Sequence, residues 1–174
     1  MTIFTIGHST RSLDDFIALL HAHGVNRLAD IRTVPKSRRH PHFAGAALAQ
    51  SLPKENIVYR HFPGLGGLRK PRRDSTNTGW RHEGFRGYAD YMQTVEFTRA
   101  LEELIEWARA FQARVAIMCA EAVWWRCHRQ LVADALVARG IEVRHIASTS
   151  SAPPHTLTDF ARVDAERVSY PGLL

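Results

Sequence analysis

Two thiols, an acid, an imidazole and two guanidinium groups crowd into one short stretch, Cys119-Ala120-Glu121 followed by Arg126-Cys127-His128-Arg129. A second polar group, Gly7-His8-Ser9-Thr10, follows an apolar run near the N-terminus, and a third, Arg32 with Pro35 and Ser37, follows another. These residue types can hold an anion, move a proton or bind a metal. Histidine titrates near neutrality, so His8 suits a general acid or base, although a hydrogen-bonded structural histidine fits equally well. Arg32 has a planar fork suited to phosphate or carboxylate, and it could instead pair with Asp30 or Glu121. Glu121, set among cations, is either a general base or the partner that orients Arg32, His128 or Arg129. His8, Ser9 and Glu121 are therefore the candidate catalytic residues. Arg32, Ser37, Arg126, His128, Arg129 and Tyr88 are the candidate substrate-binding residues.

The thiols admit three chemistries. Cys119, Cys127, His128 and Glu121 are ligand types that zinc accepts, but the paired C-x-x-C knuckles of structural zinc sites are missing, so no metal or other cofactor is expected. Cys119, at a predicted strand end before a short loop and Arg126, is the better placed nucleophile. The likeness to cysteine-dependent phosphatases and sulfurtransferases then weakens, because the loop is longer, lacks glycine and contains Glu121. Cys127 falls on the apolar stripe of a predicted helix and reads as a small core residue. With only two cysteines, no disulfide framework is expected.

What positions these groups is an alternation of short apolar runs and helical patterns. Runs at Ile3–Ile6, Leu28–Ile31, Ile57–Tyr59, Val115–Met118 and Ile141–Ile146 read as strands. Ser12, with Asp15 three positions on, starts a helix whose stripe is Leu13, Phe16, Ile17 and Leu20, and Gly24 stops it. Phe97, Leu101, Leu104, Ile105 and Ala108 give a second helix, and Cys127, Leu131, Ala135 and Ala138 a third. The pattern predicts an α/β fold, a mainly parallel sheet of about five strands with helices on both faces, in a single domain over residues 1–174. Ligands of such sheets bind beyond the carboxyl ends of the strands, where the polar groups fall.

The segment from Phe62 to Gly87, rich in Gly, Pro and Arg, shows no apolar period and predicts a lid or binding loop that brings positive charge to the site, its Gly66-Gly67 pair allowing close backbone approach. Tyr88 and Tyr91 share a helix face beyond it; Tyr91-Met92 reads as packing, while either hydroxyl could reach the site, Tyr88 being the one taken as a candidate. Trp124 and Trp125 suit either core packing or stacking on a planar ligand. Thr156–Val163 reads as one short helix.

Thr5-Ile6-Gly7-His8-Ser9, Asp30-Ile31-Arg32 with Pro35 and Ser37, Leu65-Gly66-Gly67, Tyr88 with Tyr91-Met92, and Cys119-Ala120-Glu121 followed by Cys127-His128-Arg129 appear in an order that resembles the domain of unknown function 488 family. The terminal Leu157-Thr158-Asp159-Phe160-Ala161 is also similar, with Asp159 where proline is more usual. The resemblance implies a compact bacterial or archaeal type of α/β protein with an unassigned site. It implies no reaction.

Lys and Arg number 23 against 17 Asp and Glu, a net charge of +6 that favours anionic partners. The cations cluster in Lys36-Ser37-Arg38-Arg39-His40 and in Arg69-Lys70-Pro71-Arg72-Arg73. No apolar run is long enough to cross a bilayer and the N-terminus lacks the pattern of a signal peptide, so a cytoplasmic location is expected. Three function classes remain: an enzyme acting on a phosphate-bearing small molecule or nucleotide, a nucleic-acid-binding module, and a regulatory domain with a ligand pocket. Weak, nonspecific nucleic-acid binding is expected in addition.

Overall fold

The computed structural model describes residues 1–172. Strands β1 (Thr2–Gly7), β2 (Arg27–Asp30), β3 (Val58–His61), β4 (Val115–Cys119) and β5 (Glu142–His145) form one parallel sheet in the order β3-β2-β4-β1-β5. The helices are α1 (Leu13–Ala22), α2 (Gly45–Ser51), α3 (Glu83–Tyr91), α4 (Val95–Ala108) and α5 (Arg129–Val137). Side chains alternate along each strand and so build two cores. Ile6, Leu28, Ala116 and Met118 pack with Phe16 and Leu20 of α1 and Leu48 of α2. Ile3, Ala29, Ile117 and Val143 pack with Ala89, Leu101 and Leu131 of α3, α4 and α5. Connections running in opposite directions across the sheet thus use opposite faces, as right-handed crossovers require.

Local chemistry fixes the helix ends. Ser12 accepts a hydrogen bond from the Asp15 backbone N–H at the start of α1, and Thr94 does the same for Phe97 at α4. Gly24, at φ +65°, closes the turn after α1. The adjacent strands β1 and β4 launch their connections in opposite directions, so a crevice opens beyond Gly7 and Cys119, which are register partners.

Two expectations are corrected and one element is added. Residues 62–87 are not one structureless loop: a 3-10 turn spans Pro63–Leu65 and α3 begins at Glu83. Helix α2 is an addition, short and weakly patterned. Thr156–Val163 is not a helix: α5 claims Thr158, whose backbone N–H donates to Asp134 (3.0 Å) and whose hydroxyl accepts from Gln130 Nε2 (2.9 Å), just after His155 Nε2 meets the same Asp134 (2.8 Å). The chain then forms a hairpin, β6 (Arg162–Asp164) with β7 (Arg167–Ser169), turning at Ala165.

Candidate functional site

The floor of the crevice is built by zipping the first loop onto the fourth. The β1–β4 ladder runs on past the strands, with the His8 N–H donating to the Cys119 carbonyl (3.0 Å) and the Ser9 N–H to that of Ala120 (2.9 Å). Ser9 takes a left-handed conformation, φ +51°, to turn away towards α1. The Glu121 carbonyl sits directly on Gly7, where any Cβ would overlap it. Arg129, 1% exposed, donates from Nη2 to the Glu121 and Ala122 carbonyls, and Arg11 donates to the Gly7 carbonyl. Two buried or half-buried arginines therefore hold backbone, and the loop between β4 and α5 keeps its shape.

His8 is buried and stacks on Phe43, with ring centroids 4.4 Å apart. Its Nδ1 faces the Ser9 carbonyl at 2.9 Å, which can only accept, so Nδ1 carries the proton. Nε2 is then free to accept from Arg32 Nη1 at 3.4 Å. Burial, helped by the Arg32 charge and opposed by the Ser9 carbonyl, lowers its pKa to about 4. His8 is thus a neutral acceptor at physiological pH.

Arg32 is already committed. It donates from Nε (2.9 Å) and Nη2 (2.6 Å) to the two oxygens of Asp30, and from Nη2 to the Phe43 carbonyl (2.7 Å). Asp30, wholly buried, also accepts from Tyr59 Oη (2.7 Å) and from the Arg32 backbone N–H. Burial opposes the Arg32 charge, but Asp30 outweighs it and the guanidinium pKa rises. The pair is electrically closed, and Nη1 is the part of the fork left for a ligand.

Beside it lie the thiols. His128 Nε2 donates to the Ile31 carbonyl (3.0 Å), which leaves Nδ1 unprotonated in the neutral ring and aimed at Cys127 Sγ (3.6 Å) and Cys119 Sγ (3.9 Å). The hydrogen bond to Cys127, together with burial, raises the Cys119 pKa. Burial pushes Cys127 up as well, but the Cys119 hydrogen bond, the Arg129 charge and the Arg129 backbone N–H outweigh it and bring it down to about 7. Negative charge is therefore favoured on Cys127, whose sulfur also receives the Arg129 backbone N–H (3.4 Å), over Cys119.

These groups open into one cleft of about 870 Å³. His8, Ser9, Arg32, Ser37, Glu121, Arg126 and His128 all line it, and Ser37 Oγ also accepts from the His40 backbone N–H (3.0 Å). Lys36, Arg38 and Arg39 add positive charge to its lining, to which His82 and Phe85 also belong. Two candidates do not line it. Arg129 lies behind the loop, and Tyr88 is wholly buried, its hydroxyl donating to the Leu65 carbonyl (2.8 Å). The segment over residues 62–87 does reach the cleft, through Gly67, Leu68, His82, Gly84 and Phe85, and Gly67 packs so tightly on the His128 ring that a Cβ would collide with it. Its arginines do not: Arg69 stacks on Tyr91, 3.6 Å from the ring centroid, and Arg72 pairs with Asp74. Asp90 explains this, accepting from the Arg72 N–H, Ser75 and Asn77 and so drawing the basic stretch down onto α3.

Asp30 and Phe43 are the functional supports that sequence reading undervalued, and Phe43 has no signal beyond its nearness to the basic His40-Pro41-His42. Trp124, half-buried, stacks on His145 at 4.2 Å, whereas Trp125 is exposed. Residues 12–136 match the model of the family described as "Domain of unknown function DUF488". The chain belongs to the DUF488 family. The matched region runs from the cap of α1 to the body of α5, so it includes Asp30, Arg32 and both thiols, while His8 and Ser9 precede it. Searches of curated proteins and of solved structures returned no match. Membership of DUF488 brings no reaction with it.

Proposed function

We propose that this chain is an enzyme acting on a phosphate-bearing small molecule or nucleotide bound in the strand-end cleft. The observation that carries the reading is charge: Lys36, Arg38, Arg39 and Arg126 border the cleft against a single acid, Glu121. Because Arg32 is neutralised by Asp30, recognition of the anion falls chiefly to these rim cations, with Arg32 Nη1 fixing orientation. His8 Nε2 and the Cys127–His128 pair supply proton acceptors on the floor. A volume of this size accommodates a nucleotide or sugar phosphate.

The test is thermal shift and calorimetric titration against inorganic phosphate, nucleotides and sugar phosphates, followed by turnover assays on any binder. Arg126→Ala and the pair Arg38→Ala/Arg39→Ala should each weaken the best ligand by about 1.5–3 kcal/mol, the value of a charged hydrogen bond. His8→Ala should lower turnover more than affinity. Equal binding by wild type and both arginine variants would sink the anion reading.

A further inference from the structure

The donor set on the cleft floor has a geometry that hydrogen bonding alone does not call for. We propose that Cys119 Sγ, Cys127 Sγ and His128 Nδ1 form a binding site for one zinc-class divalent ion whose fourth position opens into the cleft. The three atoms lie within 4.8 Å of one another and all three residues are buried. Zinc holds sulfur at about 2.3 Å and imidazole nitrogen at about 2.0–2.1 Å, so a tetrahedral site separates its S and N ligands by about 3.6 Å. The distances from Nδ1 to the two sulfurs, 3.6 and 3.9 Å, are within a few tenths of an ångström of that.

The surroundings fit as well. Ligating histidines characteristically give their second N–H to a carbonyl or carboxylate, which fixes the ring and its tautomer. His128 Nε2 does so with the Ile31 carbonyl at the end of β2. The Arg129 backbone N–H donates to Cys127 Sγ (3.4 Å), supporting negative charge on that sulfur. Two thiolates and a neutral imidazole balance a divalent ion, which removes the cost of burying charge. Soft sulfur donors select zinc over magnesium or calcium. Among the described residues no fourth Cys, His, Asp or Glu joins the cluster, and all three residues line the cleft, so a water or substrate oxygen can take the open position, as in catalytic zinc sites. Short C-x-x-C spacing is unnecessary because β4 and the start of α5 bring the sulfurs together. The inference stands whether or not the cleft takes an anion.

The reduced full-length chain is titrated with Co²⁺ as a spectroscopic stand-in, then with zinc in competition against a chromophoric chelator. One equivalent is expected, with thiolate-to-cobalt charge transfer, the strong visible bands of a tetrahedral site, and displacement by zinc. Cys119→Ser and Cys127→Ser should each reduce the charge transfer and weaken zinc by at least about tenfold, the loss that even an outer partner of a zinc ligand brings. Circular dichroism melts of each variant separate loss of the site from loss of fold. In wild type, independently of any substitution, zinc should protect both thiols from iodoacetamide, read by mass. Absence of charge transfer in the reduced chain would overturn the proposal. So would wild-type zinc affinity in a folded Cys119→Ser/Cys127→Ser double variant, or a Cys119–Cys127 disulfide that forms as fast with zinc as without.

Discussion

Asp30 and Arg32 illustrate how a residue's meaning depends on what has already claimed it. Read alone, Arg32 is an anion clamp; with Asp30 and Phe43 holding most of its fork, it becomes a rigid post against which His8 is oriented. Both side chains are almost wholly withdrawn from water, so the pair is worth most when one partner is missing. Asp30→Ala should destabilise the fold by about 3–5 kcal/mol, the cost of stranding a buried charge, measured by urea denaturation. Asp30→Leu combined with Arg32→Met should recover much of that loss while abolishing any function that uses Nη1. A cheap Asp30→Ala would mean that the guanidinium escapes to solvent through the cleft.

Elements are tied together by a polar network that lies away from the cleft. Thr5 of β1 bonds His145 Nδ1 of β5 (2.7 Å), His145 Nε2 bonds His155 Nδ1 (2.9 Å), His155 reaches Asp134 of α5, and Tyr170 donates to the second Asp134 oxygen (2.7 Å). The C-terminal segment is thereby fastened to sheet and helix at once. Burial chiefly, with His155 and the Arg129 charge adding to it, lowers the His145 pKa from 6.5 to about 3. The unfolded chain takes up the proton first as pH falls, so stability is complete above the ordinary histidine value and declines between about 6.5 and 3. The slope should approach 1.4 kcal/mol per pH unit from this residue. His145→Gln should flatten the stability profile between pH values of about 6.5 and 5; an unchanged slope would assign the acid sensitivity elsewhere.

At the scale of the molecule, the net charge of +6 is unevenly deployed. One basic segment borders the cleft, the other is drawn onto α3 by Asp90, and no helix among the described residues is long and apolar enough to cross a membrane. Such a surface should attract polyanions by counterion release with little reading of bases. Weak binding to unrelated DNA or RNA sequences is therefore expected, falling steeply with salt in fluorescence anisotropy titrations. Tight, sequence-selective binding retained at high salt would favour a nucleic-acid-binding module over a small-molecule enzyme.

The sequence by itself determined the five strands of the parallel sheet and the helices α1, α4 and α5, because hydrophobic periodicity and capping are local and each of those elements carried its own signal, whereas the β6–β7 hairpin carried none. It also marked the strand ends as the polar place, with Gly7, His8, Arg32 and Cys119 each following an apolar run. Only the tertiary structure decided what those residues do, since burial and partners are set by segments far apart in the chain. Tyr88 went to the core because Leu65 supplies an acceptor there, and Arg129 went behind the loop because the Glu121 carbonyl needs a donor. Negative charge is favoured on Cys127 over Cys119 by the Cys119 hydrogen bond first and by the Arg129 charge next, both supplied by the folded chain. The meeting of two sulfurs and Nδ1 depended on β2 offering the Ile31 carbonyl to His128, a backbone atom whose position no side-chain pattern encodes.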